Sequence, residues 1–117
     1  MSYKAYQQTS NRTESLRLTE YRLLGETTRA LIEIKTLDKY DIRKRALTLD
    51  RNRRVWSTFA SDCANENNGL PDKTRAAIIS LSLFVSRETS AVMRGESDVD
   101  ALVSINRTIM QGLSSST

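Results

Sequence analysis

The chain contains no histidine, and among its 117 residues it has one cysteine, one proline and four glycines. Without histidine it lacks the commonest general acid–base and the commonest metal ligand. Cys63 alone makes neither an internal disulfide nor a thiolate zinc site. Placed between Asp62 and Ala64 near a predicted helix end, it reads as a small buried hydrophobe. Aromatic residues are only 6% of the chain, so the core must rest mainly on Leu, Ile, Val and Ala. The opening residues, Met1 to Gln8, have no apolar run of the kind that marks a secretory signal. The longest apolar run, Ala76 to Val85, is broken by Ser80 and Ser82 and falls short of the ~20 residues needed to span a bilayer. The expectation is a cytoplasmic chain with no membrane span. No phosphate-binding glycine loop or nucleophile elbow is present. The nearest carboxylate pairs, Asp38/Asp41 and Asp98/Asp100, sit where helix starts are predicted, and capping explains them. The chain is expected to be no enzyme and to use no cofactor, metal or small-molecule substrate.

What is present is charge and helical periodicity. Charged residues make up 27% and hydrophobic residues 38%, the balance of a globular domain, with a net charge of +4. The few breakers favour long helices, and the whole of 1–117 reads as one all-α domain: a small bundle of four main helices. Residues 1–14 are polar apart from Tyr3 and Tyr6 and form either a short docked helix or an arm. A first strong helix is predicted over about Ser15–Thr36, with Leu16, Leu23, Thr27, Ala30, Leu31 and Ile34 on one face and Tyr21 and Ile32 opposite. A second runs from about Lys39 to Ala64. Its seam is Ile42, Ala46, Leu49, Trp56, Ala60 and Cys63, with Arg53 filling the register.

Asn65 to Gly69 ends the second helix with turn formers. Pro71 then opens a third, which runs to about Arg94 with Gly95 at the left-handed C-terminal position. This helix is apolar on two sides: Ala77, Ile78, Leu81, Phe84, Val85 and Val92 on one, Ala76, Ile79 and Leu83 on the other. Such a helix is either central to the bundle or keeps a groove for a partner, and the central position is the expectation. A fourth helix, capped by Ser97 with Asp100 in support, carries the stripe Val99, Leu102, Val103, Asn106, Ile109, Met110 and Leu113. Residues 114–117 form a polar, frayed tail.

Two polar features stand out. Arg43, Lys44, Arg51 and Arg54 share a stripe of the second helix clear of Trp56. Guanidinium groups bind phosphate bidentately, so the stripe fits RNA, an acidic protein surface, or simply water. No aromatic side chains alternate with it for base stacking. Arg53 and Asn106 each interrupt an apolar seam. Arg53 would need a carboxylate, with Glu20, Glu88 and Asp62 as candidates, and both residues are expected to fix the register of the bundle.

Several stretches carry a family resemblance: Lys4-Ala5-Tyr6, Thr19-Glu20-Tyr21-Arg22-Leu23, Asn52-Arg53-Arg54-Val55-Trp56, Ala77-Ile78-Ile79-Ser80-Leu81, Val85-Ser86-Arg87-Glu88-Thr89-Ser90, Val92-Met93-Arg94-Gly95 and Ile105-Asn106-Arg107. In this order and over nearly the whole chain they resemble the FlaF family of alphaproteobacterial flagellar biosynthesis regulators. The resemblance implies a non-catalytic flagellar role. It implies flagellin as a partner, with export-chaperone activity, and a second regulator, FlbT, through which flagellin mRNA is reached. The residues expected to form the partner surface are Tyr21, Ile32, Arg53, Arg54, Trp56, Ile79, Leu83, Arg87, Arg94 and Asn106. The alternative is direct RNA binding through Arg43, Lys44, Arg51 and Arg54.

Overall fold

A computed structural model of the protein describes residues 3–37 and 41–115, with side chains over 17–37 and 41–113. It contains α1 (Tyr3–Ile34), α2 (Ile42–Ala64), a 3₁₀ turn (Glu66–Asn68), α3 (Asp72–Met93) and α4 (Asp100–Ser115). No strand occurs among the described residues. Helix α2 packs on both α1 and α3, α4 packs on α1, and α3 meets α4 only slightly. The all-α bundle of four helices is therefore as expected. Its extents, 57 × 21 × 21 Å, are set by α1, whose 32 residues run about 48 Å at ~1.5 Å per residue.

Each break has a local cause. Asp41 caps α2 by accepting from the Lys44 amide at 3.3 Å. Pro71 is the N-cap of α3, and Asp72 stands in its first turn beside the positive helix end. Helix α3 closes in a full Schellman arrangement, with Glu96 N–H donating to the Ala91 carbonyl at 2.9 Å and Gly95 N–H to Val92 at 3.0 Å. Gly95 holds φ 78°, which costs a side-chain-bearing residue energy. The start of α4 is capped by Asp98, which accepts from the Asp100 amide at 2.9 Å, and not by Ser97. Successive helices also close each other's ends. Arg45 donates to the Ile34 carbonyl at 3.0 Å, and Arg75 donates to that of Cys63 at 2.7 Å.

The core is Leu24, Leu31, Ile34, Leu49, Trp56, Phe59, Cys63, Ile78, Val85, Val92, Val99, Leu102 and neighbours. The α4 stripe is as expected: Val99, Leu102, Val103, Asn106 and Leu113 are buried, with Ile109 and Met110 packed at the edge. Several expectations are corrected. Helix α1 begins at Tyr3 rather than Ser15, because nothing between them breaks a helix; the side chains of Tyr3, Tyr6 and Leu16 lie outside the described residues. Asp38 and Lys39, placed near the start of α2, and the tail residues Ser116 and Thr117 also lie outside them. The α2 seam is Leu49, Asn52, Trp56, Phe59 and Cys63, while Ile42 is 72% exposed. Arg53 therefore lies off the seam and pairs with Asp50 at 3.1 Å, one turn back, instead of with Glu20, Glu88 or Asp62.

A further correction concerns α3, which is peripheral rather than central. Only Ile78, Val85, Thr89 and Val92 are buried, a narrow seam against α2. Leu83 is 64% exposed, and Ile79, Phe84 and Met93 are also open. By length and composition alone, Asp72–Met93 is apolar enough to cross a membrane. The expectation that no stretch qualifies is corrected to that extent, since serines lower the hydropathy of the run less than charges would.

Asn52 is tolerated in the seam because Asn106 meets it. Trp56 Nε1–H donates to Asn106 Oδ1 at 2.7 Å. Asn106 Nδ2 donates to Thr28 Oγ1 at 3.0 Å and to Asn52 Oδ1 at 2.8 Å. Thr28 in turn donates to the Leu24 carbonyl at 2.6 Å. An indole nitrogen only donates, so the orientation of both amides follows. Asn106→Leu keeps the branched shape of the side chain but strips partners from Trp56 and Asn52. Each orphaned group costs about 1–3 kcal/mol, so the denaturation midpoint is expected to fall well below that of Thr28→Val, which removes one acceptor. At the α3 terminus, Gly95→Ala meets no neighbouring atom within 4 Å, so its expected loss of ~1 kcal/mol reports backbone strain alone.

Candidate functional site

Among the described residues, hollows indent the bundle at several helix junctions. A groove of about 550 Å³ runs between α1 and α4, lined by Ile32, Lys35, Asp100, Val103 and Arg107 among others. A second, about 530 Å³, lies where α2 meets α3, beside Cys63, Asp72, Arg75, Ala76 and Ile79. A third, between α1 and α2, has a floor of Leu23, Leu24, Val55 and Phe59, with Arg51 and Arg54 at its mouth and about 220 Å³ of space. Ligand pockets are usually ~300–1,000 Å³, so this cleft is the size of a side chain rather than a substrate. Among the described residues, no group of three or more His, Cys, Asp or Glu is placed to hold a metal.

The strongest electrostatic perturbation is at Glu20, which borders the small cleft and is 93% buried by its 7% exposure. Burial pushes its carboxyl up to about 8, and a hydrogen bond and charge repulsion from Asp62 add to this, while Arg17 opposes it. At neutral pH Glu20 is therefore the protonated partner of a carboxyl pair. Burial likewise raises the Cys63 thiol to about 11, with Glu20 and Asp62 contributing, which keeps it from acting as a nucleophile. The cluster is an internal polar joint between α1 and α2.

The expected partner residues separate into groups. Trp56 and Asn106 are fully buried and hold the core, so they present nothing to a partner. Arg53 and Arg54 both pair with Asp50, and Arg94 pairs with Glu96 at 3.0 Å. Tyr21, Ile32, Ile79, Leu83 and Arg87 are exposed. They do not form one patch: Ile32 opens on the α1–α4 groove, whereas Ile79 and Leu83 lie on α3, which does not pack against α1. The basic stripe is half-neutralised. Arg51 pairs with Glu26 at 3.0 Å and Arg54 with Asp50 at 3.1 Å, leaving Arg43 and Lys44 exposed at the start of α2.

Leu18, 66% exposed on α1, was not expected at the surface. The signal for it is the series Leu18, Tyr21, Gly25, Thr28 and Ile32, in steps of three and four, which glycine and threonine disguise.

The described residues thus form a small all-α bundle that buries a polar network and exposes apolar side chains. The family profile described as flagellar protein FlaF matches residues 2–113, and the chain belongs to that family. No curated protein and no solved structure matches it.

The Glu20 carboxyl makes a testable demand. Its folded value of about 8 stands above the ordinary 4.5 of a free glutamate, so the folded state binds the extra proton between those limits. Stability is then complete below about pH 4.5 and falls as pH rises through about 8. Melting temperatures across this range are expected to decline for the native chain and to hold level for Glu20→Gln, after correction for other titrations.

Proposed function

We propose that the protein is a non-enzymatic cytoplasmic chaperone that holds flagellin before export and acts with FlbT on flagellin synthesis, reaching the mRNA through FlbT. Membership of a flagellar family supports the setting. The observation that carries the reading is the exposure of Leu18 and Tyr21 on α1 and of Ile79, Leu83 and Phe84 on α3. Leu18 and Tyr21, three apart on α1, and Ile79 and Leu83, four apart on α3, stand as neighbouring pairs on their helices, and exposed apolar neighbours of this kind favour a protein partner. A chaperone of this kind covers an amphipathic helix of the subunit and so keeps it from assembling early. Direct RNA binding is the weaker reading, because Glu26 and Asp50 already engage two of the four stripe cations.

Purified protein mixed with monomeric flagellin is expected to elute as a one-to-one complex. The complex should survive RNase and change little with salt, since apolar burial is not screened. Absence of the complex, or its loss as salt rises alongside RNA retention that depends on Arg43 and Lys44, would reverse the assignment.

A further inference from the structure

Helix α3 turns one long face to solvent. Its buried seam of Ile78, Val85, Thr89 and Val92 meets α2. On the far side Asp72, Ala76, Ile79, Leu83 and Arg87 follow one another in steps of four, three, four and four, with Ser80 beside them, and all six are exposed. At 100° per residue the first five fall within an arc of about 80°, so a single partner helix would meet them together. The hydropathy of α3 reaches that of a membrane-crossing helix, and most of that apolar stretch is not buried by the fold.

The stripe has a direction. It opens with a carboxylate, runs through apolar and small side chains, and ends with a guanidinium about 22 Å further on. Asp72 has a local partner in Arg75 at 3.1 Å, yet its side chain remains 97% exposed. Arg87 makes no ion pair among the described residues.

A stripe of this kind is complementary to itself when reversed. A second copy of α3 laid antiparallel, with the two-fold axis between Ile79 and Ser80, brings each chain's Asp72 against the other chain's Arg87. Ala76 then faces Leu83 on both sides of the axis, so a small side chain receives a large one, as packed helices require. A parallel pairing would set each charge against its own kind. An antiparallel slip of three or four residues would move Asp72 onto Ser90 or Leu83 and part it from Arg87.

We propose that α3 is the surface by which two copies of this chain pair, antiparallel and two-fold symmetric. The occupant is a second copy because the face itself supplies both halves of each match. The proposal goes beyond the chaperone reading and does not depend on flagellin. Leu18 and Tyr21 on α1 stay open to a subunit, one for each chain. Stable interfaces bury about 800 Å² from each partner, and a stripe this short on one helix gives less. The dimer is therefore reversible, with a Kd in about the micromolar range or weaker.

Sedimentation velocity of the full-length protein over a concentration series at low ionic strength tests the pairing. The native chain is expected to pass from the mass of one chain toward that of two. Leu83→Glu is expected to stay monomeric and keep its melting temperature, since Leu83 is 64% exposed. Asp72→Lys and Arg87→Glu each set like charges together at both ends of the stripe, and each is expected to weaken the dimer ~tenfold or more. An equimolar mixture of these two variants is expected to recover the native affinity, because every charge then meets its opposite on the other chain. Recovery on mixing also shows that both variants are folded. A native chain that stays monomeric throughout, a dimer indifferent to Leu83→Glu, or a mixture no tighter than its components would overturn the proposal. So would a native monomer whose α3 face takes up flagellin or phosphatidylcholine vesicles in place of a second copy, with that binding lost in Leu83→Glu.

Discussion

The amide of Asn106 holds the bundle in register. It joins α4 to α1 through Thr28 and to α2 through both Asn52 and Trp56. A sliding of any of these helices by one turn would leave buried donors and acceptors unmatched, and each unmatched group is costly in an apolar interior. Leucine and valine contacts alone would tolerate several alignments, because one apolar side chain substitutes for another. The polar hub therefore selects one alignment out of many that hydrophobic burial would allow. The end-closing bonds of Arg45 and Arg75 act in the same direction, since each ties a helix terminus to the next helix in the chain.

Helix α3 stands outside this hub. None of its side chains takes part in the Asn106 bonds, and it is attached to α2 by a narrow apolar seam. That division gives the molecule two kinds of surface. The α1–α2–α4 side is specified by a buried network of directional bonds, and the α3 side by apolar packing with the single Arg75 bond to the Cys63 carbonyl at its start. Exposed apolar side chains occur on both sides: Leu18, Tyr21 and Ile32 on α1, Ile42 and Leu47 on α2, and Ile79, Leu83, Phe84 and Met93 on α3.

Much of this architecture was legible in the residues. Pro71 and Gly95 marked the limits of α3, and the α4 stripe was readable because its apolar positions are uninterrupted around Asn106. The α2 seam was misread for a physical reason. Arg53 keeps the four–three rhythm of apolar residues, whereas Asn52 is polar and reads as a surface residue until its partner on another helix is known. Periodicity reports which face is apolar; it does not report a buried amide satisfied across the fold. The candidate surface was legible in part. Tyr21, Ile79 and Leu83 were recognised as surplus apolar groups, whereas Leu18 was hidden because Gly25 and Thr28 disguise the series that it shares with Tyr21 and Ile32. The burial of Glu20 beside Asp62 was hidden because it depends on how α1 and α2, distant in sequence, meet.

The single tryptophan lies at the meeting point of three helices, with Phe59 6.0 Å away and its indole nitrogen bound to Asn106. Its fluorescence is consequently an intrinsic optical record of one junction. Emission will follow the separation of α1, α2 and α4 as water reaches the indole, while a rearrangement confined to α3 can pass unseen. A second, extrinsic dye on α3 would make the two halves of the molecule separately visible.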